Sequence, residues 1–209
     1  MKKFLVIPLI VLFARSTSAQ IFQGSITYNN TYVSKLPNIT DKQWGTMVGT
    51  IQEYFIKDGD YKSVTNGTYV SWQLYIQSEN KIYTRMGASG SVIWRAGDKN
   101  DDMVLKSELK PSAAQLMGYL CDELTLTWKS GIQKYYFSPR LGVDTKLYSK
   151  HLFGNWYAYL SKANALPIKS IIETPQFIMT STATAIKPGR LDDSIFRLPA
   201  GAKAEEAIK

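Results

Sequence analysis

The sequence predicts an α+β fold made mostly of antiparallel β-strands, with a few short helices. Three observations lead there. Apolar and polar residues alternate with period two along much of the chain. Turn signals separate the alternating runs, and only three short stretches carry helical spacing.

Before the first strand lies a segment of another kind. Lys2 and Lys3 give a basic start, Phe4 to Ala14 is mostly apolar, and Thr17-Ser18-Ala19 ends in small residues, the pattern of a cleavable signal peptide over residues 1–19. The apolar run is shorter than the ~20 residues of a membrane helix. No cysteine follows it for lipid attachment, so the expected product is exported, periplasmic or secreted, as a single domain over residues 20–209.

The elements then follow in order. Phe22 to Val33 reads as a strand. Thr40-Asp41-Lys42-Gln43 has the form of a capping box and opens a helix with Trp44, Met47 and Val48 at helical spacing, stopped by Gly49. Thr50 to Tyr61 and Thr68 to Gln77 belong to one meander, in which Val70, Trp72, Leu74 and Ile76 alternate with polar partners and Asn66-Gly67 supplies a two-residue turn. Strands at Lys81 to Met86 and Val92 to Ala96 follow, and Pro111 opens a second helix through Ala113, Ala114, Leu116 and Met117 to Gly118.

Leu120, Leu124, Leu126 and Trp128 share a parity, Lys129-Ser130-Gly131 turns the chain, and Ile132 to Phe137 returns as a hairpin partner. A third helix runs from Asn155 to about Ala163, and two last strands cover Ile168 to Thr174 and Phe177 to Ile186. The latter is unusual: Ser181, Ala183 and Ala185 share one parity and Thr180, Thr182 and Thr184 the other. So little side-chain volume lets a helix or a ligand approach the sheet, with close helix packing the simpler reading.

Composition narrows the chemistry. The 209 residues include 25 Lys+Arg, 17 Asp+Glu, one His and one Cys. Sites needing several His or Cys ligands are excluded, and Cys121 has no internal disulfide partner. Removing residues 1–19 takes away Lys2, Lys3 and Arg15, so the formal charge of +8 falls to +5, and the remaining bases are scattered. No nucleic-acid partner is expected from that pattern.

Individual constellations read as structural. Asp98 to Asp102 opens like a calcium loop, but Met103 and Leu109 stand where glycine and a bidentate carboxylate belong, which leaves a polar turn. Glu53, Asp122, Glu123 and Glu173 sit on strands as solvent-face charges, and His151 beside Leu152-Phe153 reads as a packed or surface residue. Neither a glycine-rich phosphate loop nor a G-x-S-x-G elbow occurs. No catalytic residue, metal site or cofactor is expected. The aromatic and methionine content remains as the material of an apolar pocket.

Several segments together carry a family resemblance: Phe22-Gln23-Gly24-Ser25-Ile26-Thr27-Tyr28, Tyr54 to Tyr61, Met117 to Leu124, Ala165-Leu166-Pro167-Ile168-Lys169 and Leu191 to Gly201. In that order they resemble exported Bacteroidetes domains of the GLPGLI kind, similar in fold to the LolA and LolB lipoprotein carriers. The resemblance implies a strongly curved sheet or incomplete β-barrel closed by short helices, with an interior that holds acyl chains.

The resulting expectation is a non-enzymatic binding protein for an apolar small molecule, lipid or lipoprotein, associated at most peripherally with the envelope. Strand parity points to Trp72, Leu74, Ile76, Trp94, Leu126, Trp128 and Tyr136 as the concave lining, with Trp44, Met47, Met117 and Trp156 as lid contacts. The alternative is an envelope interaction module that binds protein or glycan and has a filled core. A hydrolase would need two carboxylates converging in a cleft.

Overall fold

A computed structural model describes residues 21–207 apart from positions 88 and 101. The signal-peptide segment lies outside the described residues. Among the described residues, twelve strands form one sheet in the spatial order β12-β6-β5-β4-β3-β2-β1-β11-β10-β9-β8-β7, with no pairing that closes it into a barrel. All neighbours are antiparallel except β12 (Ala204–Glu206), which runs parallel to β6 (Val92–Ala96).

The first half is a meander around β1 (Gly24–Ser34), β2 (Ile51–Lys57), β3 (Asp60–Thr65), β4 (Val70–Ile76) and β5 (Lys81–Met86). Where the sequence suggests one strand from Thr50 to Tyr61, Asp58 and Gly59 take φ of 49° and 93° and turn the chain between β2 and β3. This Asp-Gly pair supplies the positive φ values of a tight hairpin. Asn66-Gly67 lies, as expected, in the connection between the paired strands β3 and β4, but neither residue takes the positive φ of a two-residue turn. Asn66 Oδ1 accepts from the Thr50 and Ile51 amides, and a Cβ on Gly67 would lie 2.5 Å from the Val48 carbonyl carbon, so the pair seats the end of the first helix.

That helix, α1 (Asp41–Val48), starts with the expected capping box: Thr40 Oγ1 accepts from the Gln43 amide at 3.2 Å and Gln43 Oε1 from the Thr40 amide at 2.8 Å. The helix expected from Pro111 is absent. Residues Val104–Leu116 form β7, paired with β8 (Tyr119–Trp128) through a Met117-Gly118 turn with φ of 50° and 78°. Two consecutive positive φ values favour the hairpin, and Ala114 and Leu116 then join a ladder that an isolated short helix would lack.

The rest comprises β9 (Gly131–Gly142), α2 (Trp156–Ala163), β10 (Ala165–Glu173) and β11 (Phe177–Pro188). Residues 143–164, including α2 and two 3₁₀ turns, cross one face of the sheet and bury Tyr148, Tyr159 and Leu160 against it. Ring-to-ring steps of 6.3, 5.5 and 4.1 Å run from Tyr61 on β3 through Trp156 and Tyr159 to Tyr135 on β9. Along the sheet those strands are five spacings of about 4.8 Å apart, so the sheet curves around α2.

Two cores result. The concave core holds Ile26, Tyr75, Leu124, Leu126, Tyr159 and Ile168, among others. A second, smaller core lies on the convex face of β3 to β6, where Trp72, Leu74, Tyr83 and Val92 are covered by Phe196 and its neighbours in the C-terminal segment. Among the described residues, no helix is long and apolar enough to cross a membrane.

Candidate functional site

The cross-strand register decides which side chains share the concave face. Tyr28 pairs with Gln52 and Ala183, Ser170 with Ser181 and Tyr135, and Ile172 with Met179. These pairs place β2, β1, β11, β10 and β9 side by side as a floor, and Trp156 at the start of α2 stands over it. The enclosed cleft has a volume of about 190 Å³.

Its shape follows from unequal side chains. Ser170 opposite Ser181 leaves a shallow spot between Tyr135 and Tyr28, and Ser181 is fixed there by donating Oγ to Asn30 Oδ1 at 2.6 Å. On the small-residue strand Ser181 lines the cleft and Ala183 packs into the core. Pro167 cannot donate to the ladder and sits between two register shifts of β10, and its carbonyl accepts from the Tyr28 hydroxyl at 2.7 Å.

The cleft is uncharged. Among the described residues no Asp, Glu, Lys, Arg or His lines it, and burial pushes the Tyr28, Tyr54 and Tyr135 hydroxyls upward in pKa, so all three remain protonated donors. Two of the residues that line it carry a buried donor without a partner among the described residues, Tyr54 Oη and Trp156 Nε1. Each such orphan costs about 1–3 kcal/mol relative to a satisfied one. Gln52, by comparison, donates Nε2 to Ser63 Oγ at 2.9 Å.

The residues expected to line the cavity divide into groups. Trp156 lines the cleft. Leu126 is fully buried in the concave core, and Trp128 shares its parity on β8 and is half-buried. Trp72, Leu74, Ile76 and Trp94 face the other way: Leu74 lies opposite Lys62 and Tyr83, Tyr83 opposite Trp94, and Phe196 covers this convex side. On β4 the opposite parity, Tyr75, enters the concave core. Tyr136 is also convex, opposite Glu123 and beneath Lys169.

The helical pair is remote as well. Trp44 packs on Phe177 at 4.6 Å and donates Nε1 to Ser34 Oγ, Met47 is half-buried beside it on α1, and Met117 sits exposed in the β7–β8 turn. The lining residues that the sequence reading left out are mainly Tyr28, Tyr54, Tyr135 and Ser170. Ser170, a small residue in the register opposite Tyr135, marks the spot, but that register is set by pairing across strands and not by local pattern.

Other candidate groups are engaged elsewhere. Glu123 is held below its usual carboxylate range: burial opposes this, but the Tyr136 hydroxyl and the Lys134 and Lys110 ammonium groups prevail. Glu173 pairs with Lys35 at 2.5 Å, and Asp122 accepts from the Ser112 amide. Asp102 caps the β8–β9 turn by accepting from the Lys129 and Ser130 amides. His151 is buried, with Nε2 2.8 Å from the Tyr61 hydroxyl and its ring 4.2 Å from Tyr75, and desolvation lowers its pKa to about 4.

No protein-family model matches the chain, and no curated protein does. Among solved structures it is similar to PNGF-II, with 14% identity and a TM-score of 0.48 over 88% of this chain and 31% of that one. It is also similar to LprF from Mycobacterium bovis, with 9% identity and a TM-score of 0.31 over 80% of this chain and 89% of that one. This chain spans about a third of the PNGF-II chain. Neither likeness carries a functional argument, and the geometry of the cleft has to serve instead.

Proposed function

We propose that this protein is an exported, non-enzymatic binding protein that holds the apolar end of an amphipathic ligand in the cleft beneath Trp156. The observation that carries this reading is an uncharged cleft lined mostly by aromatic and apolar side chains, two of which, Tyr54 and Trp156, carry buried donors without a partner among the described residues. An acyl chain with its ester or amide carbonyl supplies both an apolar body and a neutral acceptor. Burial of apolar surface gives the affinity, at roughly 25 cal/mol per Å², and the carbonyl relieves the orphaned donors.

Size sets a limit on the ligand. A cleft of about 190 Å³ is smaller than the ~300–1,000 Å³ of sites that enclose a whole drug-sized molecule. The ligand is therefore inserted by one segment, its remainder lying outside. Lipid or lipoprotein acyl chains meet that description, and the signal-peptide pattern of residues 1–19 supports an encounter in the periplasm or outside the cell.

Native mass spectrometry after mild purification, followed by organic extraction, tests the reading. Retained lipid, together with titration by a short acyl ester that shifts tryptophan fluorescence in the wild type but about tenfold more weakly in Tyr54→Phe/Trp156→Phe, is the expected result. Consistently empty protein that ignores the ester overturns it and favours an interaction module.

A further inference from the structure

We propose a second binding site, for a small oxyanion of the carboxylate or phosphate class, at the end of the sheet where Arg140 and Arg190 face one pocket. Three chain segments build it: the entry to β1 with Phe22 and Gln23, the end of β9 with Arg140, and the exit from β11 with Gly189 and Arg190. They are tied together by backbone hydrogen bonds, from the Phe22 amide to the Gly142 carbonyl at 2.7 Å and from the Gly189 amide to the Gln23 carbonyl at 3.0 Å. The pocket they enclose, about 380 Å³, shares no lining residue with the cleft beneath Trp156.

Its electrostatics are one-sided. Two guanidinium groups line the pocket and no carboxylate does, and neither arginine is in an ion pair among the described residues. Gln23 adds a neutral donor, for its Nε2 is buried without a partner. Two cationic groups with no carboxylate beside them among the described residues match an oxyanion, and the planar guanidinium fork binds carboxylate or phosphate oxygens in pairs.

The neighbourhood admits two carriers of that anion. Arg140 lies over the Tyr119 ring, 6.0 Å from its centroid, and Tyr119 begins β8 beside exposed Met117 and Leu120. Ile21, also exposed, lines the pocket itself. The anion is thus either free in solution or the headgroup of an amphiphile whose chains meet this apolar rim.

Nuclear magnetic resonance titration of the purified protein with inorganic phosphate at low ionic strength tests the site, alongside sedimentation with phosphatidylglycerol and phosphatidylcholine vesicles. Saturable shifts at the Gln23 side-chain amide and at the Arg140 and Arg190 Nε–H groups support a free oxyanion. Retention on phosphatidylglycerol vesicles alone supports a headgroup. In either case Arg140→Gln/Arg190→Gln weakens binding by about tenfold or more.

Absence of both responses, or unchanged affinity in the double variant, overturns the proposal. Both arginine heads are exposed, so the variant is expected to keep the wild-type circular dichroism spectrum. Should it not, the wild-type shift map decides alone, since shifts centred away from these three side chains also refute the site.

Discussion

The two faces of the sheet carry similar aromatic material and use it differently. On the convex side of β3 to β6, Trp72 and Tyr83 are sealed by Phe196, and the neighbouring cations Lys62 and Lys81 lie over the Trp72 and Trp94 rings. On the concave side Tyr54, Tyr61, Tyr75 and His151 stack in sequence, Trp156 and Tyr159 cross above, and a cleft with two unsatisfied donors remains. Aromatic content alone therefore does not mark a binding surface. What separates the faces is whether polar atoms buried among the rings have partners.

Several substitutions break or sharpen that contrast. The largest effect is expected at Tyr159, fully buried, donating to the Ala165 carbonyl at 2.8 Å and stacked between Tyr135 and Trp156. Tyr159→Ala lowers stability by about 4 kcal/mol in urea denaturation, the range of large aromatic truncations, and removes the cleft's support, so ester binding is lost with it. Phe196→Ala acts on the convex core only. It costs about 3 kcal/mol because the C-terminal segment closes over part of the void, and it leaves ester affinity unchanged; a coupled loss of binding would show that the faces are not independent.

Acid provides a graded test of the concave stack. His151 has a pKa of about 4 in the folded protein against an ordinary 6.5, so the unfolded chain binds the proton more readily. Its contribution is fully present above pH 6.5 and is lost as pH falls toward 4, amounting to about 3 kcal/mol. His151→Phe should remove that part of the pH dependence, measured as the difference between the two stability profiles from pH 7 to 4. A parallel pair of profiles would mean that carboxylates account for all of it.

The smallest effect on stability is the most informative about function. Tyr54→Phe deletes a donor that has no partner, so the unliganded protein changes by less than about 1 kcal/mol, or gains slightly. Ester affinity nevertheless falls. Equal affinity in the variant would assign the orphan to a bound water and weaken the carbonyl-recognition reading.

Much of the fold was legible in the sequence, for local reasons. The Thr40 capping box, the alternation in β4 and the edges of β5 and β6 depend on neighbours within a few residues. The errors arose where two local signals competed. Pro111 with Ala113 and Ala114 looks like a helix start, but the Met117-Gly118 turn and a ready ladder on β8 override it. Asn66-Gly67 does lie in the β3–β4 connection, but without the positive φ of a tight turn, because Asn66 is occupied in capping β2; the tight Asp-Gly turn is at Asp58-Gly59.

The site was less legible, because period-two alternation says that two faces exist and not which is concave. In β4 both parities are apolar enough to be buried, Trp72 and Leu74 on one side and Tyr75 on the other. The C-terminal segment that covers the first of these lies more than a hundred residues away in the chain. No short-range pattern could have assigned the faces.

The adjacency of β1 and β11 also has a kinetic side. Strands β1 to β6 and β7 to β11 are runs of sequential neighbours that can zip locally, while β1 finds its second partner only after about 150 residues of intervening chain, as the pairing of Tyr28 with Ala183 shows. Loop-closure entropy for that pairing must be met before its contacts repay it. Until the two meet, one edge of β1 and one edge of β11 stay open, so the two meanders are the species exposed to proteases and to edge-to-edge aggregation during folding. The slow step in reaching the native state is then the welding of two preformed half-sheets along a single seam, and the floor of the cleft, which straddles that seam, is among the last parts of the molecule to exist.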